Sequence, residues 1–236
     1  MNYDNPAARL LSLIEEGQKK NQSTNCRAVW QELLEVDDNN PLLMSRLGKA
    51  MELPELIIKA LVEEYPQQGN TWSHWEGQVN AAFMSQNLNA TWASFSSLID
   101  QHTVTYLRLA SDLLQAKSNT KLIADDELLG TRAELDAVYK EVLGSNLADE
   151  VKKYLIRNLR KLILSIDEYK LTGALPLLDA IETTIGHAHL DKEYQHFLRD
   201  TALGKRLLDT LGAMANIVTV AIGIPQLSQA IILLSR

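Results

Sequence analysis

The sequence predicts an all-α fold, a multi-helix bundle of roughly nine to eleven helices. Apolar residues recur at three- and four-residue spacing along most of its 236 residues, as the buried face of an α-helix requires. Prolines and glycines fall where these periodic stretches begin and end. No long stretch alternates apolar and polar residues between hairpin turns, and Thr103–Leu107 is the only weak strand candidate.

The first two helices are predicted from their caps and apolar stripes. Pro6 suits the first turn of a helix that is capped by Asp4 or Asn5. A second stripe follows Ser23 and Thr24, which are the candidate caps of the next helix.

Prolines divide the rest of the N-terminal half. Pro41 is expected to begin a third helix, Pro54 to interrupt it, and residues 66–70 to form a clear break. Residues 71–99 then form either one long helix or two helices separated near Asn87.

The polar segment from Lys117 to Lys121 is the expected boundary between two helical subdomains, residues 1–118 and 119–236. In the second subdomain, a helix with an apolar stripe ends near Gly144, a residue typical of helix C-termini. A longer helix is predicted after it.

This longer helix is expected to span residues 147–171, because the apolar residues in this range are spaced to share one helical face. Gly173 is expected to stop it, and Pro176 to begin the next helix. The apolar and small residues of the pair are Leu159, Leu162, Ile163, Ile166, Tyr169, Gly173, Leu177, Leu178, Ala180, Ile181 and Gly186.

The block that contains these residues, Leu159 through Gly186, resembles a helical hairpin of small all-helical bacterial proteins whose function is uncharacterised. Those proteins also tend to end in an apolar segment. The match covers roughly the C-terminal half of the chain. The resemblance implies a bacterial origin and a phage-defence or mobile-element context, and it transfers no catalytic residue.

Composition narrows the classes of function. The net charge is −7, and acidic residues outnumber basic ones on both sides of Ser118, which makes nucleic acid an unlikely partner. The single cysteine, Cys26, excludes an internal disulfide and a multi-cysteine zinc site, and its apolar neighbours predict burial. The N-terminus carries no secretory signal, so a cytoplasmic location is expected.

The most informative feature is an apolar terminal segment, residues 207–235. No charged residue occurs between Thr210 and Ser235, so this stretch must lie in a protein core, against a partner or in a bilayer. Cover by protein is the favoured interpretation, since Pro225 splits the run. The predicted contact residues are Ile217, Val218, Val220, Ile222, Ile224, Leu227, Ile231 and Leu234.

Membrane association is the alternative interpretation of the same segment. The run is long enough for a spanning helix of about 20 residues. Lys205 and Arg206 precede it and would face anionic headgroups. The chain would then be associated with the inner membrane.

Two polar patterns offer weaker candidate sites. On one continuous helix, His189, Glu193 and His196 would face the same way and could ligate zinc, although ordinary solvated histidines at a helix start are favoured.

A basic stripe is the second polar pattern. Lys153, Arg157 and Arg160 align on one helix face and could contact an anion or phosphate. A solvated face partly paired with Asp149, Glu150 and their neighbours is favoured.

An aromatic group, Trp72, His74, Trp75 and Trp92, either lines a pocket or packs in a core. Core packing is favoured, because these residues continue a helical stripe.

No phosphate-binding glycine loop, GxSxG or HExxH motif occurs, so no catalytic residue, cofactor or small-molecule substrate is predicted. We therefore expect a non-catalytic module for protein–protein interaction or self-assembly into a homo-oligomer, as an accessory or regulator in the context that the resemblance implies. One alternative is an effector that permeabilises membranes with its apolar C-terminal segment. Another is a metal-dependent hydrolase built on the histidine cluster.

Overall fold

A computed structural model of the chain describes residues 4–69, 71–118 and 120–222. This part is all-α, with twelve α-helices and no strand, which confirms the predicted fold class with slightly more helices than expected. The chain forms two compact units, Met1–Asn119 and Thr120–Arg236.

The described part of the N-terminal unit is built from six α-helices and a 3₁₀ turn at Pro66–Gln68. Helices α1, α3 and α6 pack against one another, and α4 packs against α3 and α6. Their bounds are α1 Pro6–Gln18, α2 Cys26–Leu33, α3 Asn40–Glu64, α4 Ser73–Ser85, α5 Ala93–Ser96 and α6 Gln101–Lys117.

Asparagine side chains cap the first two helices. Asn5 caps α1 by accepting a hydrogen bond from the Ala8 amide at 2.9 Å, as one of the two predicted caps. Asn25, and neither Ser23 nor Thr24, caps α2. Those two predictions were wrong because α2 begins at Cys26, which leaves only the residue directly before it in the N-cap position.

Helix α3 continues through Pro54, so the predicted interruption is wrong. Proline removes one backbone hydrogen bond from a helix and strains the preceding turn. Here Leu53, Pro54 and Ile57 are all buried in the packing of α3 against α1 and α6. Burial of this continuous apolar face outweighs the local preference for a break.

The strand candidate Thr103–Leu107 is also wrong, because these residues form part of α6. Asp100 caps this helix and accepts a hydrogen bond from the Thr103 amide at 2.7 Å. Val104 and Leu107 are buried on one helical face. The preceding stretch forms the two separate helices α4 and α5, one of the two arrangements expected.

Trp30 lies at the centre of an aromatic core. Its ring centroid is 5.9 Å from that of Phe83, 5.2 Å from Trp92 and 5.0 Å from Phe95. The Trp92 indole N–H donates a hydrogen bond to the Gly17 carbonyl at 2.8 Å, which ties α5 to the end of α1.

The other tryptophans and the single cysteine are also buried. Trp72, Trp75 and Trp92 are buried, as the core interpretation predicted, whereas His74 is exposed beside Asp100. Cys26 is fully buried, as expected, and burial raises the pKa of its thiol.

Helix α2 ends in a Schellman motif with a glutamate where glycine is the usual residue. Glu35 has φ 52°. The Val36 amide donates to the Gln31 carbonyl at 2.8 Å, and the Glu35 amide donates to the Glu32 carbonyl at 3.3 Å. Arg46 Nη1 donates to the carbonyls of Leu34 and Glu35, at 2.8 and 2.9 Å, and so holds this left-handed turn.

Replacing Glu35 with glycine is therefore expected to raise the free energy of unfolding by about 0.5–1 kcal/mol, since glycine adopts a positive φ without steric cost. Urea denaturation measures the change. Glu32→Gly, three residues earlier and inside α2, is the matched control and is expected to lower the same quantity by about 1 kcal/mol. A loss of stability in Glu35→Gly would contradict the argument.

The described part of the C-terminal unit is a four-helix arrangement with a short helix on one side. Helices α7, α8, α10 and α12 pack in a closed cycle, each against the next, and α11 packs against α12. A 3₁₀ turn, His187–His189, precedes α11. The bounds are α7 Asp125–Gly144, α8 Asp149–Asp167, α9 Tyr169–Thr172, α10 Leu175–Gly186, α11 Lys192–Asp200 and α12 Ala202–Ile222.

The predicted long helix over residues 147–171 is divided into α8 and the short α9 at Glu168. Gly173 follows α9 with φ 75°, which confirms it as a stop, and Pro176 lies in the first turn of α10 as expected. Gly144 is the last residue of α7, and Ser145 is its C-cap.

Candidate interaction surface

Helix α12 carries the first half of the predicted apolar segment into the core of the C-terminal unit. Its buried apolar side chains recur at three- and four-residue spacing and face α7, α10 and α11. They are Leu207, Leu208, Leu211, Met214, Ala215, Val218 and Ala221. This face is therefore covered by protein of the same unit.

The predicted contact residues differ in how far the structure buries them. Val218 is fully packed in the core, which removes it from the contact set because it offers a partner no surface. Ile217 and Ile222 are half-buried at the edge of the core, and Val220 is 69% exposed. The others, Ile224, Leu227, Ile231 and Leu234, lie outside the described residues.

The basic residue before the segment is engaged by α7. Arg206 pairs with Glu134 at 3.0 Å and with Glu141 through its other terminal nitrogen. Hydrogen bonding to Glu134 raises the pKa of the Arg206 guanidinium. The guanidinium that would face lipid headgroups in the membrane alternative thus joins the start of α12 to α7, while Lys205 is exposed.

None of the helices within residues 4–69, 71–118 and 120–222 has both the length and the hydropathy that a membrane-spanning helix needs.

Two hydrogen bonds connect the segment before α7 to the C-terminal end of α12 and to α9. The Lys121 amide donates to the Ala221 carbonyl at 2.9 Å. The Ile123 amide donates to the Tyr169 hydroxyl at 2.9 Å. The segment before α7, helix α9 and the last turn of α12 therefore meet at this end of the unit.

Large apolar side chains are exposed on the segment before α7, on the last turn of α12 and near the starts of α7 and α10. We call this set the apolar end; it comprises Leu122, Leu129, Leu175 and Val220. Leu122 lies between the two hydrogen-bonding amides, Leu129 in the second turn of α7, and Leu175 at the first position of α10. Exposed leucine and valine side chains of this size are typical of an interaction surface.

A groove of about 330 Å³ opens between α7 and α8. We call it the α7–α8 groove; its lining residues are Asp136, Tyr139, Arg160, Ile163, Leu164 and Asp167. Ile163 is half-buried, and Leu164 is 46% exposed.

The charged groups at the rim of this groove are satisfied within the unit. Arg132 pairs with Asp136 at 2.8 Å and with Asp167 at 2.6 Å. Its hydrogen bond to Asp167 raises the pKa of the Arg132 guanidinium. Arg160 donates from Nε and Nη2 to the Tyr139 hydroxyl at 3.0 and 2.8 Å, with its guanidinium 5.6 Å from the ring centroid.

The predicted basic stripe lies on the exposed face of α8. Lys153, Arg157 and Arg160 are all exposed, as the favoured solvated face predicts, and among the described residues no ion pair joins any of them to Asp149 or Glu150. Arg157 and Arg160 instead lie over tyrosine rings, because a guanidinium is attracted to an aromatic face. Arg157 lies 5.3 Å from the centroid of Tyr154.

The histidine cluster is not assembled into a ligand set. His189 lies in the 3₁₀ turn, whereas Glu193 and His196 lie in α11, beyond its N-cap Asp191. The break removes the continuous helix on which their alignment depended. All three side chains are exposed, and the described residues contain no group of three such side chains placed to hold a metal ion.

A different histidine, His187, is built into the fold. Its ring stacks on Tyr154 with centroids 3.6 Å apart, and its Nε2 lies 3.4 Å from an Asp191 oxygen. Tyr194 packs against His187 on the buried side of this cluster, and burial raises the pKa of its hydroxyl well above the usual range. These groups join α8, α10 and α11.

No protein-family model matches the chain, and no curated protein or solved structure shows significant similarity to it.

Proposed function

We propose that the protein is a non-catalytic helical interaction module that assembles with a second copy of itself through its apolar C-terminal segment. The observation that carries this proposal is the course of α12. The helix is anchored in the core by Leu211, Met214 and Val218, and its last turn emerges at the apolar end with Val220 exposed.

The sequence that follows α12 is also apolar. Residues 223–235 contain no charge and are rich in leucine and isoleucine. An apolar segment that continues from an exposed apolar end gains most by burial against another protein surface. Most oligomers of soluble proteins join identical chains, so a second copy is the first partner to consider.

The polar groups of the unit support binding over catalysis, because they are engaged in holding helices together. Arg132 joins α7 to α8 through Asp167, and Arg206 joins α12 to α7 through Glu134 and Glu141. Asp191 caps α11, and the Tyr194 hydroxyl donates to the Thr184 carbonyl. The resemblance of residues 159–186 to small bacterial proteins is the basis for placing this module in a phage-defence or mobile-element system.

Deleting residues 223–236 is expected to weaken self-association at least about ten-fold, while leaving the helical content and the melting temperature unchanged. Val220→Glu is expected to act in the same direction, since it places a charge at the apolar end. Sedimentation velocity over a range of protein concentrations measures the association.

Leu190→Glu is the matched control. Leu190 is 86% exposed in the same unit but follows the C-terminal end of α10, away from the apolar end. It is expected to assemble like the unaltered chain. A full-length protein that stays monomeric at tens of micromolar, or that releases dye from lipid vesicles, would overturn the proposal, and vesicle leakage would favour the membrane-permeabilising alternative.

A further inference from the structure

We infer that the α7–α8 groove is the receptor for the C-terminal segment: residues 223–236 of one copy occupy the groove of the next. This inference rests on the proposed function and names the surface that the segment contacts.

The floor of the groove is apolar and only partly covered. Leu164 lies on the outer side of α8, away from the buried stripe that contains Leu155, Leu159 and Leu162. It is nevertheless 46% exposed and is adjacent to the half-buried Ile163. A partner that covers both side chains removes apolar surface from water.

The rim favours a neutral occupant. Asp136 and Asp167 both pair with Arg132, and Arg160, whose charge balances the second carboxylate, donates to the Tyr139 hydroxyl. A charged ligand would have to break these contacts before it gained any of its own. An uncharged segment leaves them in place.

The chain supplies such a segment. Residues 223–235 are uncharged, and Leu227, Ile231 and Leu234 are spaced to share one face of a helix. A cavity of about 150 Å³ holds one benzene-sized group. The groove, at about 330 Å³, has room for two apolar side chains of that size.

The position of the groove on α7 favours a second copy as the source of the C-terminal segment that occupies it. Arg206 of α12 contacts Glu134 and Glu141, whereas the groove is lined by Asp136 and Tyr139. Positions two residues apart on a helix differ by about 200°, so these two pairs lie on opposite sides of α7. A segment leaving α12 would have to pass around α7 to reach its own groove, whereas a neighbouring copy can insert its segment directly.

Two full-length variants test the arrangement by complementation. Leu164→Glu blocks the groove and keeps the segment, and Ile231→Asp alters the segment and keeps the groove. Each is expected to weaken self-association at least about ten-fold by itself. Mixed together they are expected to form a heterodimer, because the intact segment of the first fits the intact groove of the second. Sedimentation velocity with one variant fluorescently labelled detects that species.

The outcomes separate this inference from the proposed function. If Leu164→Glu associates normally while Ile231→Asp does not, the groove is not the receptor, and the proposed function stands. If Ile231→Asp associates normally, the proposed function itself fails. If both are monomeric and mixing restores nothing, the segment does not pass between copies as inferred.

Leu190→Glu serves as the surface-charge control and is expected to associate normally. Circular dichroism checks that each variant is folded, and Leu164→Gln replaces Leu164→Glu if the charge disturbs α8.

Discussion

Replacing Gly204 with alanine is expected to destabilise the C-terminal unit by about 3 kcal/mol. A Cβ at this position would lie 2.6 Å from the Leu198 Cα and 2.7 Å from the Phe197 carbonyl carbon, and closer still to the Phe197 carbonyl oxygen. These are backbone atoms of α11, so no side-chain rotation relieves the clash. The start of α12 must move away from α11, which opens the core around Phe197 and Leu198.

The loss of stability expected for Gly204→Ala is opposite in sign to the gain that helix propensity alone would give. Alanine in place of glycine normally stabilises a helix by about 1 kcal/mol. Gly130→Ala, in the exposed part of α7 where a Cβ meets nothing, is the matched control and is expected to stabilise by that amount. Urea denaturation followed by circular dichroism measures both. A neutral or stabilising Gly204→Ala would show that α11 and α12 are not in such close contact.

Replacing Trp30 with alanine is expected to cost the N-terminal unit about 3–5 kcal/mol, the range for removing a large buried aromatic side chain. Trp30 is 1% exposed and contacts Phe83, Trp92 and Phe95 at once. Its indole N–H also donates to the Gln86 side chain at 2.6 Å. The eight-residue α2 is too short to be stable without this packing.

Met84→Ala is the control for Trp30→Ala. Met84 is adjacent to Phe83 in the chain but is 78% exposed, so its removal is expected to change the free energy of unfolding by less than about 0.5 kcal/mol. Both values come from urea denaturation with the slope compared between variants. A loss below about 1 kcal/mol for Trp30→Ala would mean that the aromatic core is easily repacked.

Local periodicity was enough to predict that these segments are helical. It did not predict that α3 continues through Pro54 or that the later helix is divided at Glu168. Pro54 has a strong local tendency to end a helix, and only the packing of α3 against α1 and α6 keeps it helical. At Glu168 the error is opposite, since the apolar spacing continues through Leu171 while the helix is divided. At Pro54 tertiary contacts decide the outcome, and the neighbouring residues do not encode them.

The candidate site was predictable in part. The long apolar run indicated that protein would cover the segment, and this holds for Leu211, Met214 and Val218 within α12. The α7–α8 groove was missed because it arises from pairing two helices: Arg132 meets Asp167 across 35 positions of sequence. Leu164, an apolar residue on the outer side of α8, was the one local signal that pointed to it.

The placement of the tryptophans gives a built-in optical probe. Trp30, Trp72, Trp75 and Trp92 all belong to the N-terminal unit, and they are the only four in the chain. Intrinsic indole emission consequently reports the melting of that unit alone. Helical ellipticity sums the signal of both units, so comparing the two traces assigns each thermal transition to one unit without any engineered label.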